Sequence, residues 1–111
     1  MRYDFYLKQG DTWPSLKAKL LDADEELIDV SAADSIRFVM TKFRNRTDVV
    51  IDSLNVGIEN DWVVYNWQPG ETDVAGSYQA EFVVDLGSGN IVTVPNKNDE
   101  YIYILIGREL G

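Results

Sequence analysis

Ser77-Tyr78-Gln79-Ala80-Glu81-Phe82-Val83-Val84-Asp85-Leu86 alternates with a period of two. Tyr78, Ala80, Phe82, Val84 and Leu86 fall on one side, and Ser77, Gln79, Glu81 and Asp85 on the other. That period belongs to a strand with one buried face. The residues before it, Asp73-Val74-Ala75-Gly76, carry a more specific signature. In immunoglobulin-like sandwiches a tyrosine near the start of a late strand sends its hydroxyl back to the preceding loop backbone and pins the crossover between sheets. Tyr78 is the candidate for this corner, Gly76 supplies the tight approach, and Asp73 is placed to bond local backbone amides. Ala80 stands two residues on, where antibody domains put a cysteine, and one extra residue separates Asp from Tyr. The signature is structural and implies no chemistry.

Outward from this strand the same period recurs. Downstream, Gly87-Ser88-Gly89-Asn90 is a hairpin turn signal leading into a strand Ile91 to Val94, then a loop from Pro95 to Glu100 and a closing strand from Tyr101 to Ile106. Upstream, Gln68-Pro69-Gly70-Glu71-Thr72-Asp73 is a loop whose Pro-Gly pair forbids continuation, and Trp62 to Trp67 is a strand rich in aromatic and β-branched residues. Tyr65 and Trp67 share one face of it and Trp62 the opposite one. Val49-Val50-Ile51 and Leu54 to Ile58 read as two short strands around a turn at Asp52-Ser53, and Lys42 to Asp48 as a polar hairpin end. Ile36, Phe38 and Met40 alternate with Arg37, Val39 and Thr41, while Ser31 to Asp34 has room for a single helical turn or a loop. Asp22-Ala23-Asp24-Glu25-Glu26 is an acidic turn leading into Leu27 to Val30. Leu16, Ala18 and Leu20 alternate with Lys17 and Lys19, and Tyr3, Phe5 and Leu7 form a first strand that Gly10 to Pro14 breaks. The expectation is an all-β fold: one immunoglobulin-like antiparallel β-sandwich of about eight or nine short strands, filling residues 1–111 as a single domain.

Composition narrows the chemistry. Ten basic against nineteen acidic residues leave a net charge of −9, the wrong sign for a phosphate backbone or an anionic membrane surface. The chain has neither cysteine nor histidine. That excludes thiolate and imidazole nucleophile systems, disulfides and the usual zinc sites. No segment approaches the length of an apolar membrane span, and Met1-Arg2-Tyr3-Asp4 lacks the apolar region of a secretory leader. No cofactor is expected.

The remaining constellations each have a plain alternative. Asp22, Asp24, Glu25 and Glu26 offer hard oxygen ligands for calcium, but the EF-hand spacing is not met and a solvated turn is the favoured reading. Glu71, Asp73, Glu81 and Asp85 could be imagined as a hydrolase pair. Glu81 and Asp85, four residues apart on one strand, are separated by roughly 13 Å, too far for either glycosidase geometry. Lys42, Arg44 and Arg46 read as a solvated loop. Of the tryptophans Trp13, Trp62 and Trp67, most are expected in core or rim packing, with Trp13 and Trp62 the candidates for an exposed contact surface.

Asp4-Phe5-Tyr6-Leu7-Lys8-Gln9-Gly10-Asp11-Thr12 with Pro14, then Leu20-Leu21-Asp22-Ala23-Asp24, Val30 and Ile36-Arg37-Phe38-Val39-Met40, resemble the N-terminal immunoglobulin-like domain of phage baseplate upper proteins. The most specific part is Tyr65 to Phe82, which reads as strand, Trp-x-Pro-Gly loop (Trp67, Pro69, Gly70), Ala-Gly-x-Tyr corner (Gly76, Tyr78) and strand. Pro95-Asn96 and Tyr101-Ile102-Tyr103-Ile104 also fit. The chain departs from the family at Glu25-Glu26, where Gly-rich turns are usual, and it stops at Gly111 without the further domains that carry receptor-binding tips. The resemblance implies a non-catalytic adaptor of a tailed phage or prophage particle. It would be made in the bacterial cytoplasm and docked in the virion to other tail or baseplate proteins or to itself. A carbohydrate-binding or adhesion-type immunoglobulin-like module, calcium-assisted through Asp22 and Asp24, is the alternative expectation.

Overall fold

A computed structural model describes residues 2–95 and 100–110. Most of the expected loop between Pro95 and Glu100, with Asn96 of the family pattern, lies outside the described residues, as do Met1 and Gly111 and the inward placement of the Tyr3 side chain. Among the described residues there are nine strands: β1 (Arg2–Lys8), β2 (Leu16–Ala18), β3 (Ser35–Lys42), β4 (Asn45–Ser53), β5 (Val56–Glu59), β6 (Trp62–Tyr65), β7 (Gly76–Asp85), β8 (Ile91–Val94) and β9 (Tyr101–Gly107), with one 3-10 turn at Val30–Ala32.

The strands form two sheets. One has six strands in the order β1-β9-β7-β3-β4 with β8 also on β7, and the other has three in the order β2-β6-β5. β7 is the spine of the larger sheet. Its first half pairs with β9 from Gly76↔Ile106 to Ala80↔Ile102, and its second half with β8 from Phe82↔Val94 to Asp85↔Ile91. Along its other edge it pairs with β3 over the whole of Ser35–Lys42.

The alternation of each strand is the reason for the layering. Ile36, Phe38 and Met40 of β3 and Tyr78, Ala80, Phe82 and Val84 of β7 point inward and are buried with Val63, Tyr65 and Trp67 of the facing layer. Phe38 is the hub: it stacks on Tyr65 at 4.3 Å, meets Trp67 edge-on at 5.7 Å and lies 5.3 Å from Phe82. Offset and edge-to-face arrangements of this kind suit the ring quadrupoles and add to the apolar burial. The architecture is an immunoglobulin-like β-sandwich.

Several boundaries differ from the sequence expectation. One ladder is parallel: β1 runs alongside β9, Arg2↔Tyr101 to Lys8↔Gly107. Period two reports which face a residue occupies and carries no information about the neighbour's direction. The break expected at Asp52-Ser53 falls at Leu54-Asn55 instead, because Asp52 and Ser53 still pair with Val39 and Phe38 and Asp52 bridges Arg37 at 3.1 Å. Beyond Asn55 the chain crosses to the other sheet. The polar hairpin end is shorter than expected: Lys42↔Asn45 closes a two-residue turn at Phe43-Arg44, with Arg44 at φ +61°, and the ladder shifts register before Val49. β6 stops at Tyr65, so Trp67 lies in the following loop, yet it is buried on the same side as Tyr65. Leu86 also leaves the inward row; β7 ends at Asp85, and the Leu86 amide donates to Asn90 at 2.8 Å to close the hairpin.

Candidate functional site

The corner is built as a backbone anchor. Tyr78 Oη donates to the Val74 carbonyl at 2.7 Å, so the phenol holds the loop four residues behind it. Gly76 sits between them at φ +152°, and a Cβ there would lie 3.7 Å from the Tyr78 ring. Burial raises the Tyr78 pKa, partly offset by the nearby Lys42 charge.

Asp73 does not have the role expected of it. The carboxylate that serves this loop is Glu71, whose oxygens accept from Tyr65 Oη at 2.7 Å and from the Gln68 amide at 2.7 Å. Asp73 contributes its carbonyl, which takes Gln9 Nε2 at 3.0 Å. Pro69 and Gly70 make the reversal, with Gly70 at φ +92° and the Glu71 amide donating to Gln68 at 3.1 Å. Thr72 is buried beside them and donates Oγ1 to the Asp11 carbonyl at 2.7 Å, while its own carbonyl takes the Gly10 amide at 3.1 Å. Residues 68–76 therefore clamp the 9–12 loop at one end of the sandwich. Burial, then the Glu71 carboxylate, pushes the Tyr65 phenol far above its ordinary range. Trp67 fills the space beneath the loop with its Nε1 buried and without a partner. The clamping roles of Glu71, Thr72 and Gln9 escaped the sequence reading, because their contacts depend on how two loops meet and follow no spacing rule.

The carboxylates singled out as a hydrolase pair are not brought together. Glu71 is engaged by Tyr65 and Gln68, and Glu81 stands on the outer face of β7. In the acidic turn, Asp22 Oδ1 accepts from the amides of Asp24 at 2.9 Å and Glu26 at 3.0 Å, which makes it a turn-capping residue. Among the described residues no cluster of three or more acidic side chains is arranged to hold a metal ion.

Trp13 and Trp62 are both at the surface but not together. Trp13 is 79% exposed on the loop before β2 and walls a groove of about 560 Å³ floored by Val64 and Gly57, with Ser15 and Asn66 bonded to each other at its rim. Trp62 is 41% exposed at the other end of β6, opposite Glu59, with Lys19 Nζ 5.1 Å above its ring.

A second surface was not singled out from the sequence. No further layer covers the outer face of the six-stranded sheet among the described residues. On it, Tyr6 pairs with Leu105, which pairs with Ser77; one step along, Tyr103 pairs with Gln79, Gln79 with Thr41 and Thr41 with Val49. None of these seven side chains is charged, and the carboxylate that joins them on this face, Asp4, pairs with Tyr103 and takes the Tyr6 hydroxyl at 3.0 Å. Tyr103 is braced by Ser77 at 2.8 Å and by Phe43, whose ring also packs on Tyr101. Tyr6 is 60% exposed. Arg37, Arg44 and Glu81 lie around the border. No protein-family model matches the chain, and no curated protein matches it significantly.

Proposed function

We propose that the chain is a non-catalytic docking module, a structural adaptor of a tailed-phage or prophage tail or baseplate. The observation that carries the docking part is the uncovered outer face centred on Tyr6, Leu105 and Tyr103. Interface cores are depleted of charge and enriched in tyrosine, with charged residues at the rim. A tyrosine-bearing patch whose one carboxylate, Asp4, is bonded by the Tyr6 hydroxyl fits that composition on a chain of net charge −9. A rigid sandwich presents such a patch with little ordering on association, so binding rests on complementarity of shape without turnover. The virion assignment is supported by the resemblance of Tyr65 to Phe82, and of the flanking strands, to the baseplate family.

Mass spectrometry of particles banded from an induced culture of the source organism tests it. The chain is expected in fixed stoichiometry with tail proteins, and replacing the exposed Tyr6 by Ala is expected to deplete it from particles with little change in its melting temperature. Well-formed particles that lack the chain refute the assignment.

The groove beside Trp13 favours a second reading, a carbohydrate-binding module. An exposed indole offers a stacking platform and Asn66 and Ser15 offer hydrogen bonds. Tryptophan fluorescence is then expected to shift on titration with oligosaccharides and to lose that response in Trp13→Ala. A flat titration across a glycan panel removes this reading.

A further inference from the structure

The three-stranded sheet carries a glycine that its own fold does not require. Gly57 stands inside β5 opposite Val64. Its φ lies outside the left-handed region, and a Cβ there would meet nothing nearer than the Val64 carbonyl at 3.9 Å. Glycine weakens a strand, and it marks places where a ligand or another backbone comes close. Val64 is the second anomaly. It alternates with the core residues Val63 and Tyr65, so it faces outward, yet it is only 6% exposed. The walls of the groove beside Trp13 shelter it.

Side chains close that groove at both ends. At one end Ser15 Oγ donates to Asn66 Oδ1. At the other, Lys17 Nζ lies 3.6 Å from Glu59 Oε2. Lys17 is opposite Val64 and Glu59 is opposite Trp62, so this pair reaches across β6 between those two residues. The two bars are therefore about three residues apart along β6, roughly 10 Å. Both keep capacity for a ligand. Asn66 retains its amide N–H donors and Ser15 its acceptor lone pairs, while Lys17 has further N–H groups and Glu59 a second oxygen.

A wall of exposed indole and a floor of Val64 and Gly57 backbone suit a ring with an apolar face. Polar groups at both ends suit hydroxyls around its edge. A pyranose has both, C–H groups over its faces and hydroxyls at its rim. A peptide or polysaccharide running through the groove would meet the two bars. A carboxylated ring would bring charge beside Glu59 on a chain of net charge −9.

We propose that the groove takes one neutral pyranose ring, the free end of a glycan, laid between Trp13 and Gly57. This rests on the carbohydrate reading above and adds the size and charge of what is bound.

Methyl pyranosides of glucose, galactose, mannose and N-acetylglucosamine, each titrated into the full chain and followed by amide and indole chemical shifts, test it. At least one is expected to shift the Trp13 indole N–H and the amides of Ser15, Gly57 and Val64 saturably. An oligosaccharide ending in the same sugar is expected to bind within about threefold of it, and the matching hexuronic acid glycoside at least about tenfold more weakly. Gly57→Val fills the slot with a residue that strands favour, so it should abolish the response without lowering the melting temperature. Gly57→Ala serves if the larger side chain prevents folding. Response to oligosaccharides with every methyl pyranoside silent, or affinity rising about tenfold or more with chain length, overturns the proposal and leaves the carbohydrate reading standing. Equal affinity for the hexuronic acid, or binding undiminished in the filled variant, overturns it as well. Silence from every sugar removes the proposal and the reading together, and a proline-rich peptide that then shifts the same amides reassigns the groove to a peptide partner.

Discussion

Replacing Glu71 by Ala removes the acceptor that ties the end of β6 to the corner loop. The buried Tyr65 hydroxyl donates to both carboxylate oxygens at 2.7 Å, and the Gln68 amide donates to one of them at 2.7 Å. These losses are unequal. Gln68 is exposed, so water replaces its acceptor at little cost. Tyr65 sits in the core, and a hydrogen bond to a charged group is worth about 1.5–3 kcal/mol, with a penalty when its partner is left unsatisfied. Ser53 also reaches the phenol and recovers part of this. The expected loss is about 2–3 kcal/mol in a denaturant titration, and at about 4–5 °C per kcal/mol for a chain of this size the melting temperature falls by roughly 10 °C. Tyr65→Phe keeps the stacked ring and removes the donor, so it relieves the orphaned hydroxyl. The double variant should therefore lie well short of the sum of the single costs, with a coupling of about 1–2 kcal/mol. If Glu71→Ala costs less than about 0.5 kcal/mol, or if the two costs simply add, the clamp does not hold the fold as argued.

Further outcomes follow from the same geometry. Tyr78→Phe deprives the Val74 carbonyl of its donor at 2.7 Å and should cost about 1–2 kcal/mol with the denaturant slope unchanged, read by urea unfolding. Phe38→Ala empties the centre of the aromatic cluster and should cost about 3–5 kcal/mol, measured by calorimetry. Tyr65 and Tyr78 hold their protons more tightly folded than unfolded, so above about pH 10 the unfolded chain releases protons that the folded one keeps, and stability should fall as pH rises from there. Urea midpoints across that range, compared with those of Tyr65→Phe and Tyr78→Phe, check both the sign and the residues.

Much of the fold was legible in single residues. Period two placed Ile36, Phe38 and Met40, and Tyr78, Ala80, Phe82 and Val84, on buried faces, because a strand's alternation depends only on its own backbone. The corner was legible too, since Tyr78 reaches Val74 within four residues. Glu71 was not: its bond to Tyr65 depends on the path by which the Pro69-Gly70 turn folds back, and Asp73, two residues on, was an equally plausible acceptor in the sequence.

The amino-acid sequence by itself determined that this protein is all-β, where most strands lie and which of their faces are buried. Only the tertiary structure decided that β1 runs parallel to β9, that β8 and β9 share β7 and part over Phe82, and that Tyr6, Leu105 and Tyr103 meet on one uncovered face. The physical reason is the range of the interactions. Burial of a side chain is written into local alternation, whereas ladder direction, strand neighbours and the gaps between sheets are set by long-range pairing, where a partner is chosen by the whole chain at once.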